Sequence, residues 1–160
     1  AGPLREKRSR LQSVSAIVDS GNGATPVVAF NETGQAPLFN MTLKGEYFEP
    51  VNGSEIKQPA SYFADKNLVA IAGIGSPERF FNQLSGLGLQ FERKAFADHH
   101  AFTAQDLMQF SGKTILMTEK DAVKCSTFTT GDTWCLPVTA TISASSQTSL
   151  ITLILQKLGI

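Results

Sequence analysis

Residues 68–75 read LVAIAGIG, eight in a row without a polar side chain. A strand wet on one face alternates apolar and polar residues. An unbroken apolar run suits a strand buried on both faces, and such strands belong to parallel sheets covered by helices. The following residues continue the pattern. In SPERFFNQLSGLG, Ser76 can cap a helix with Pro77 at its first position, and Gly86 and Gly88 can end it. Phe80, Phe81 and Leu84 share one face at helical spacing, which suits core packing. FERKAF (91–96) reads as a second strand. Thr103 caps the next helix, with Asp106 three residues on as the acidic partner of a capping box. KTILMT (113–118) is a third strand, TWCLPVTAT (133–141) a fourth, and SLITLILQKL (149–158) a final amphipathic helix. Pro137 assigns the fourth strand to an edge, because proline has no N–H for a ladder. The predicted class is therefore α/β, with a mainly parallel sheet and flanking helices.

The first part of the chain differs. VSAIVDSG (14–21) and TPVVAF (25–30) read as short buried strands around Gly21-Asn22-Gly23. FNMTLKGEYFEPVNG (39–53) reads as extended segments broken at Gly45 and closed by Asn52-Gly53. Residues 53–65 are polar and read as a connector.

Charge excludes one class of partner. Lys+Arg and Asp+Glu balance at 14 each, so the whole chain gives no electrostatic case for nucleic acid. AGPLREKRSRL (1–11) is locally basic, and serves either as a solvated segment or as an anion-facing loop. Cys125 and Cys135 form neither a CxxC pair nor a four-ligand zinc set, so both are expected to be reduced core thiols in a cytosolic protein. No stretch reaches eighteen apolar residues, and no membrane span or signal peptide is read. The chain opens on Ala-Gly-Pro rather than Met, which suggests a fragment or a processed product.

In a parallel sheet, ligands gather at the carboxyl ends of the strands. Three loops fall there: Gly73-Ile74-Gly75-Ser76-Pro77, Ala97-Asp98-His99-His100 and Thr118-Glu119-Lys120-Asp121. AGIGSP resembles a phosphate-binding glycine turn but lacks GxGxxG spacing; it is an anion site at a helix mouth or a plain tight turn. Asp98-His99-His100 suits three roles: a metal site, a general base with its orienting partner, or an exposed loop pair. The chain holds no further histidine, so a metal would depend on scattered carboxylates, and none is expected. In MTEKDAVKC (117–125), Thr118 caps a helix with Asp121 three residues later. Lys120 and Lys124 then share a face whose spacing favours solvation over phosphate.

AGPLREKRSRL, AIAGIGSPERFF, FADHHAFT and MTEKDAVKC occur in the order found in tetraacyldisaccharide 4'-kinases, and the chain resembles that family from residue 1 to about 140. The resemblance implies transfer of the ATP γ-phosphoryl group, with Mg²⁺, to the 4'-hydroxyl of a tetraacylated glucosamine disaccharide 1-phosphate. This lipid A precursor is met at the cytoplasmic face of the bacterial inner membrane. It also implies three parts: 1–38 as the end of a P-loop kinase domain, 39–64 as a β-strand linker and connector, and 65–160 as a C-terminal α/β domain. By resemblance, His99 pairs with an aspartate base outside this chain, orienting it and tuning its pKa, and Asp98 precedes it in the same motif. Arg5 and Glu6 match an active-site pair, Arg5 meeting phosphate and Glu6 orienting it. Lys7 and Ala97 stand where relatives often have proline, and Phe102 replaces a frequent tyrosine. A small α/β metallophosphoesterase using Asp98, His99 and His100, or a non-catalytic α/β binding domain, are the alternative readings.

GxxxxGK[ST] does not occur among the 160 residues. Phosphoryl transfer depends on a phosphate cradle and Mg²⁺ for positioning and charge neutralisation. The chain on its own is therefore expected to turn over no ATP above a blank in the presence of the lipid disaccharide, measured as ADP release.

Overall fold

The apolar run does form a strand, and all five of its residues, Leu68–Ala72, are buried. Its side chains alternate between two cores. Leu68, Ala70 and Ala72 join one, with Phe80, Phe81 and Leu84, while Val69 and Ile71 join the other, with Leu107, Ala122 and Cys125. Burial on both faces is what the absence of polar residues requires.

The computed structural model describes residues 7–20, 36–129, 132–142 and 144–160. In chain order the strands and helices begin with β1 (Ile17–Asp19), β2 (Leu38–Lys44), β3 (Tyr47–Pro50), β4 (Gln58–Pro59), β5 (Leu68–Ala72) and α1 (Pro77–Gly86). They continue with β6 (Glu92–Ala95), α2 (Ala104–Met108), β7 (Thr114–Thr118), α3 (Glu119–Cys125), β8 (Thr133–Leu136), β9 (Thr139–Ile142) and α4 (Ala144–Leu158). TPVVAF lies outside the described residues.

These elements make two compact units, Ala1–Lys44 with Thr139–Ile160, and Gly45–Val138. In the first, β1 runs parallel to β2 and β9 runs antiparallel to it, with Lys44 opposite Thr139. In the second, six strands take the order β4-β3-β8-β7-β5-β6. The strands β8, β7, β5 and β6 are parallel, while β3 and β4 add an antiparallel edge. The mixed α/β class with a mostly parallel sheet is therefore observed.

Three sequence expectations change. TWCLPVTAT is not one edge strand. Its first half, β8, lies between β3 and β7, and its second half, β9, pairs with β2 in the other sheet. Pro137 falls in the join, where its missing N–H breaks no ladder. Gly45 lies beside this join: a Cβ there would sit 2.7 Å from Leu136 Cγ and 2.8 Å from the Pro137 carbonyl oxygen. Only glycine permits that approach. The polar stretch 53–65 is also more than a connector. It holds β4 and a 3-10 turn over Ala60–Phe63, with Phe63 fully buried. The Phe63 ring lies 4.6 Å from Phe48 and 5.3 Å from Trp134. The helix α1 does open on Pro77, but the Ser76 side chain makes no capping bond.

The amino ends of the strands are tied by Asp132. Its carboxylate accepts hydrogen bonds from Lys66 Nζ at 2.8 Å and Thr114 Oγ1 at 2.6 Å, and from the Trp134 indole. Burial works against this charge, but the bonds from Lys66, Thr114 and Trp134 outweigh it and hold the carboxyl below its ordinary 3.8. A depressed carboxylate stabilises the fold fully above its unfolded pKa and loses that contribution as pH falls through the folded value. Asp132→Asn is accordingly expected to cost roughly 1 kcal/mol at neutral pH, the lower end for charged hydrogen bonds because the group is partly exposed. In urea titrations at several pH values, the gap from the parent should be constant above pH 3.8 and close below it.

Candidate functional site

The sheet changes direction around β5. From β5 the chain moves outward through α1 to β6, then returns through α2 to β7 on the other side of β5. The loops leaving β5 and β7 therefore diverge towards opposite faces, and such a switch point is where α/β sheets bind ligands. Here the gap is bridged. Asp121, in the first turn of α3, is fully buried, and its Oδ2 accepts the Gly73 N–H at the end of β5 at 2.9 Å. The same oxygen accepts the Thr118 hydroxyl at 2.8 Å, and Oδ1 accepts Lys124 Nζ at 2.8 Å. Thr118 also caps the helix, its Oγ1 accepting the Asp121 N–H at 3.2 Å.

Spacing identified the Thr118 cap but not this bridge. It also assigned Lys124 to a solvated face with Lys120. Lys120 is exposed, whereas Lys124 is bound to Asp121 and lies 5.5 Å from the centre of the Phe102 ring. A signal was available: Asp121 sits at a strand end, in a helix whose neighbours Ala122 and Cys125 face the core.

Gly73 is the hub. Its N–H meets Asp121, and its carbonyl accepts the His99 N–H at 3.2 Å. A Cβ on Gly73 would lie 3.0 Å from the Phe102 ring and 3.2 Å from His100 Cβ, so glycine lets the histidine loop close over it. The Gly73 amide is thus taken up by Asp121, and Glu78, in the first turn of α1, pairs with Arg93 at 3.2 Å.

The two histidines part company. His99 has φ +59°, the one non-glycine residue with positive φ among the described residues. Such a conformation costs on the order of 1 kcal/mol and persists where neighbours hold it. Its amide is held twice, by Gly73 and by Asp98 Oδ1 at 3.0 Å. The ring projects outward with 74% of the side chain exposed. Nε2 stands 3.7 Å from Asp98 Oδ2, an ion-pair distance but too long for a hydrogen bond. Asp98 itself is half exposed, and its carboxylate comes close to Gly75, where a Cβ would be 3.2 Å from Oδ2.

His100 turns inward. Its ring lies 4.7 Å from Phe96 and 4.8 Å, edge-on, from Phe102. Its Nε2 pairs with Asp106 Oδ2 at 3.2 Å. Asp106 completes the predicted capping box with Thr103. The Thr103 hydroxyl and amide, and then His100, hold the Asp106 carboxyl below its usual range against the opposing effect of burial. Phe102 is a buried wall of this arrangement.

Arg5 and Glu6 lie outside the described residues. No three His, Cys, Asp or Glu side chains among the described residues are grouped to hold a metal ion. Cys125 and Cys135 are free and buried, and burial pushes each thiol up to about 11. No helix among the described residues is long and apolar enough to cross a membrane.

Comparison with known proteins gives one consistent family. A family model described as tetraacyldisaccharide-1-P 4'-kinase matches residues 1–159. The tetraacyldisaccharide 4'-kinase of Dechloromonas aromatica is 44% identical over 98% of this chain and 45% of its own length. The enzyme of the same name from Actinobacillus pleuropneumoniae serotype 5b is 44% identical over 99% of this chain and 46% of its own length. A crystal structure of LpxK from Aquifex aeolicus in complex with ATP superimposes with a TM-score of 0.65 at 23% identity, covering 96% of this chain and 45% of that one. At that identity the likeness speaks for the fold. The chain thus spans just under half the length of these relatives.

The packing of His100 gives a stability test. His100→Ala removes two ring contacts and a bond to a carboxylate, and is expected to cost about 2 kcal/mol. The check is the urea midpoint against the parent protein.

Proposed function

The chain belongs to the tetraacyldisaccharide-1-P 4'-kinase family, and from that premise we propose that it forms part of an enzyme phosphorylating the 4'-hydroxyl of a tetraacylated glucosamine disaccharide 1-phosphate, with ATP as donor. We assign ATP and Mg²⁺ mainly to the part of the enzyme outside this chain, a reading supported by relatives about twice as long. In this reading 1–38 end the nucleotide-binding domain and 39–64 lead into the six-stranded sheet through β2, β3 and β4, while the α/β unit closes at Val138 and Thr139–Ile160 return to the unit of 1–44. The lipid acceptor brings the complete enzyme to the cytoplasmic face of the inner membrane.

The observation that carries the proposal is the presentation of His99. Its ring stands out from the strand-end loop on a backbone held at Gly73 and Asp98, with no hydrogen-bonding partner among the described residues and Asp98 at 3.7 Å. An imidazole so placed can meet a carboxylate from another part of the enzyme. It would fix that base's orientation and set how readily it takes the proton of the attacking hydroxyl. Arg5 and Glu6 enter as a phosphate contact and its orienting partner, because a guanidinium fork spreads charge over several phosphate oxygens. The metallophosphoesterase reading gains nothing from the geometry, since His100 is committed to Asp106 and two phenyl rings.

The test is steady-state kinetics on the complete enzyme. His99→Ala should lower kcat by about 10²–10⁴-fold, the usual worth of a general acid–base group. The ATP KM should hardly move, because the nucleotide is bound elsewhere. His100→Ala should cost less than about tenfold in kcat, or roughly 1.4 kcal/mol of barrier. Equal large losses would indicate a shared role such as metal ligation, and near-normal kcat in both would remove His99 from the mechanism.

A further inference from the structure

We infer that Asp121 is a positioning residue for His99, acting across the switch point through the peptide unit of Gly73. The inference rests on the role proposed for His99 and adds the device that fixes it. His99 has an unfavourable φ of +59° and an exposed ring, so its own side-chain packing does little to hold it. The backbone holds it instead. The His99 amide is tied to the Gly73 carbonyl, and the Gly73 amide is tied to the buried Asp121 carboxylate. Both polar groups of one glycine are used, one towards α3 and one towards the histidine loop.

The carboxylate is itself fixed. Thr118 and Lys124 bond its two oxygens, and Asp121 is fully buried, so it has no room to relax. A neutral amide cannot reproduce this. Asparagine at the position keeps one acceptor oxygen for the three donors and turns an NH₂ towards either Lys124 or the pair formed by Thr118 and Gly73. The end of β5 would be released, and with it the anchor of His99. A shift of about 1 Å at a reacting group can cost on the order of a hundredfold in rate. Substrate binding by other parts of the enzyme would be untouched.

The experiment uses the complete enzyme with Asp121→Asn, His99→Ala and the double variant, each checked for folding by circular dichroism. Asp121→Asn should lower kcat by at least about tenfold with little change in either substrate KM. In the His99→Ala background the same change should cost less than about twofold, because the group it positions is gone. A purely structural role would lower activity equally in both backgrounds, and that result overturns the inference. So does a folded Asp121→Asn enzyme with kcat within about twofold of the parent. If Asp121→Asn does not fold, Thr118→Val decides by the same two-background criterion, with an expected loss of about threefold or more in the His99 enzyme. If His99→Ala alone costs less than tenfold, the proposed role of His99 fails and this inference falls with it. That failure is visible in the single variant, apart from any result at Asp121.

Discussion

A carboxylate with no exposure to water is the constraint around which the strand ends are arranged. Removing such a charge from solvent costs several kcal/mol, and nearby donors must offset it. At 2.8 Å, an ammonium contributes roughly 6 kcal/mol for an effective dielectric constant near 20. The Gly73 amide and the Thr118 hydroxyl supply the rest. The charge is tolerable only with all three in place. That requirement fixes the start of α3 against the end of β5, across the one gap where the sheet's outgoing loops separate.

Two braces then meet at the histidine loop. One is polar and runs from Asp121 through Gly73 to the His99 backbone. The other is aromatic: Phe96 and Phe102 grip the His100 ring, and Asp106 holds its far edge. Lys124 belongs to both, bonded to Asp121 and lying against Phe102. Neighbouring histidines in one dipeptide thereby acquire opposite duties. One is spent on packing so that the other can stand in solvent in a conformation that a free loop would leave. Residues of one type, adjacent in sequence, are separated by the sign of φ.

Much of the sheet was legible because burial leaves a direct trace in sequence. LVAIAGIG had to be a strand wetted on neither side, and Thr103 with Asp106 had to be a helix mouth. The capping role of Thr118 was equally local. What escaped was non-local. The Asp121–Gly73 bond joins residues 48 apart in sequence, and nothing in either neighbourhood names the other. The same holds for Phe63, which sits in a polar stretch and is claimed by Phe48 and Trp134 from distant strands. Pro137 was read correctly as a ladder breaker but placed at an edge, because the sequence does not say that the chain changes sheets there. For the site, the loop was foreseeable and the choice between its histidines was not. The family likeness favoured His99, and what the backbone geometry adds is that its ring is exposed while that of His100 is packed.

The pairing of Lys44 with Thr139 has a topological meaning. These residues face one another across antiparallel strands, as the last rungs of a hairpin do, where Cα atoms are only about 5 Å apart. Everything from Gly45 to Val138 is threaded through that opening. In connectivity the six-stranded unit is an oversized loop of a two-stranded hairpin, entering and leaving at one point. A two-residue Asn-Gly turn spans such a gap. The unit can in principle be lifted out and the hairpin sealed, or the opening can be cut and the unit carried to another host, without breaking a strand of either sheet. A module so joined is one that recombination can add or remove in a single event.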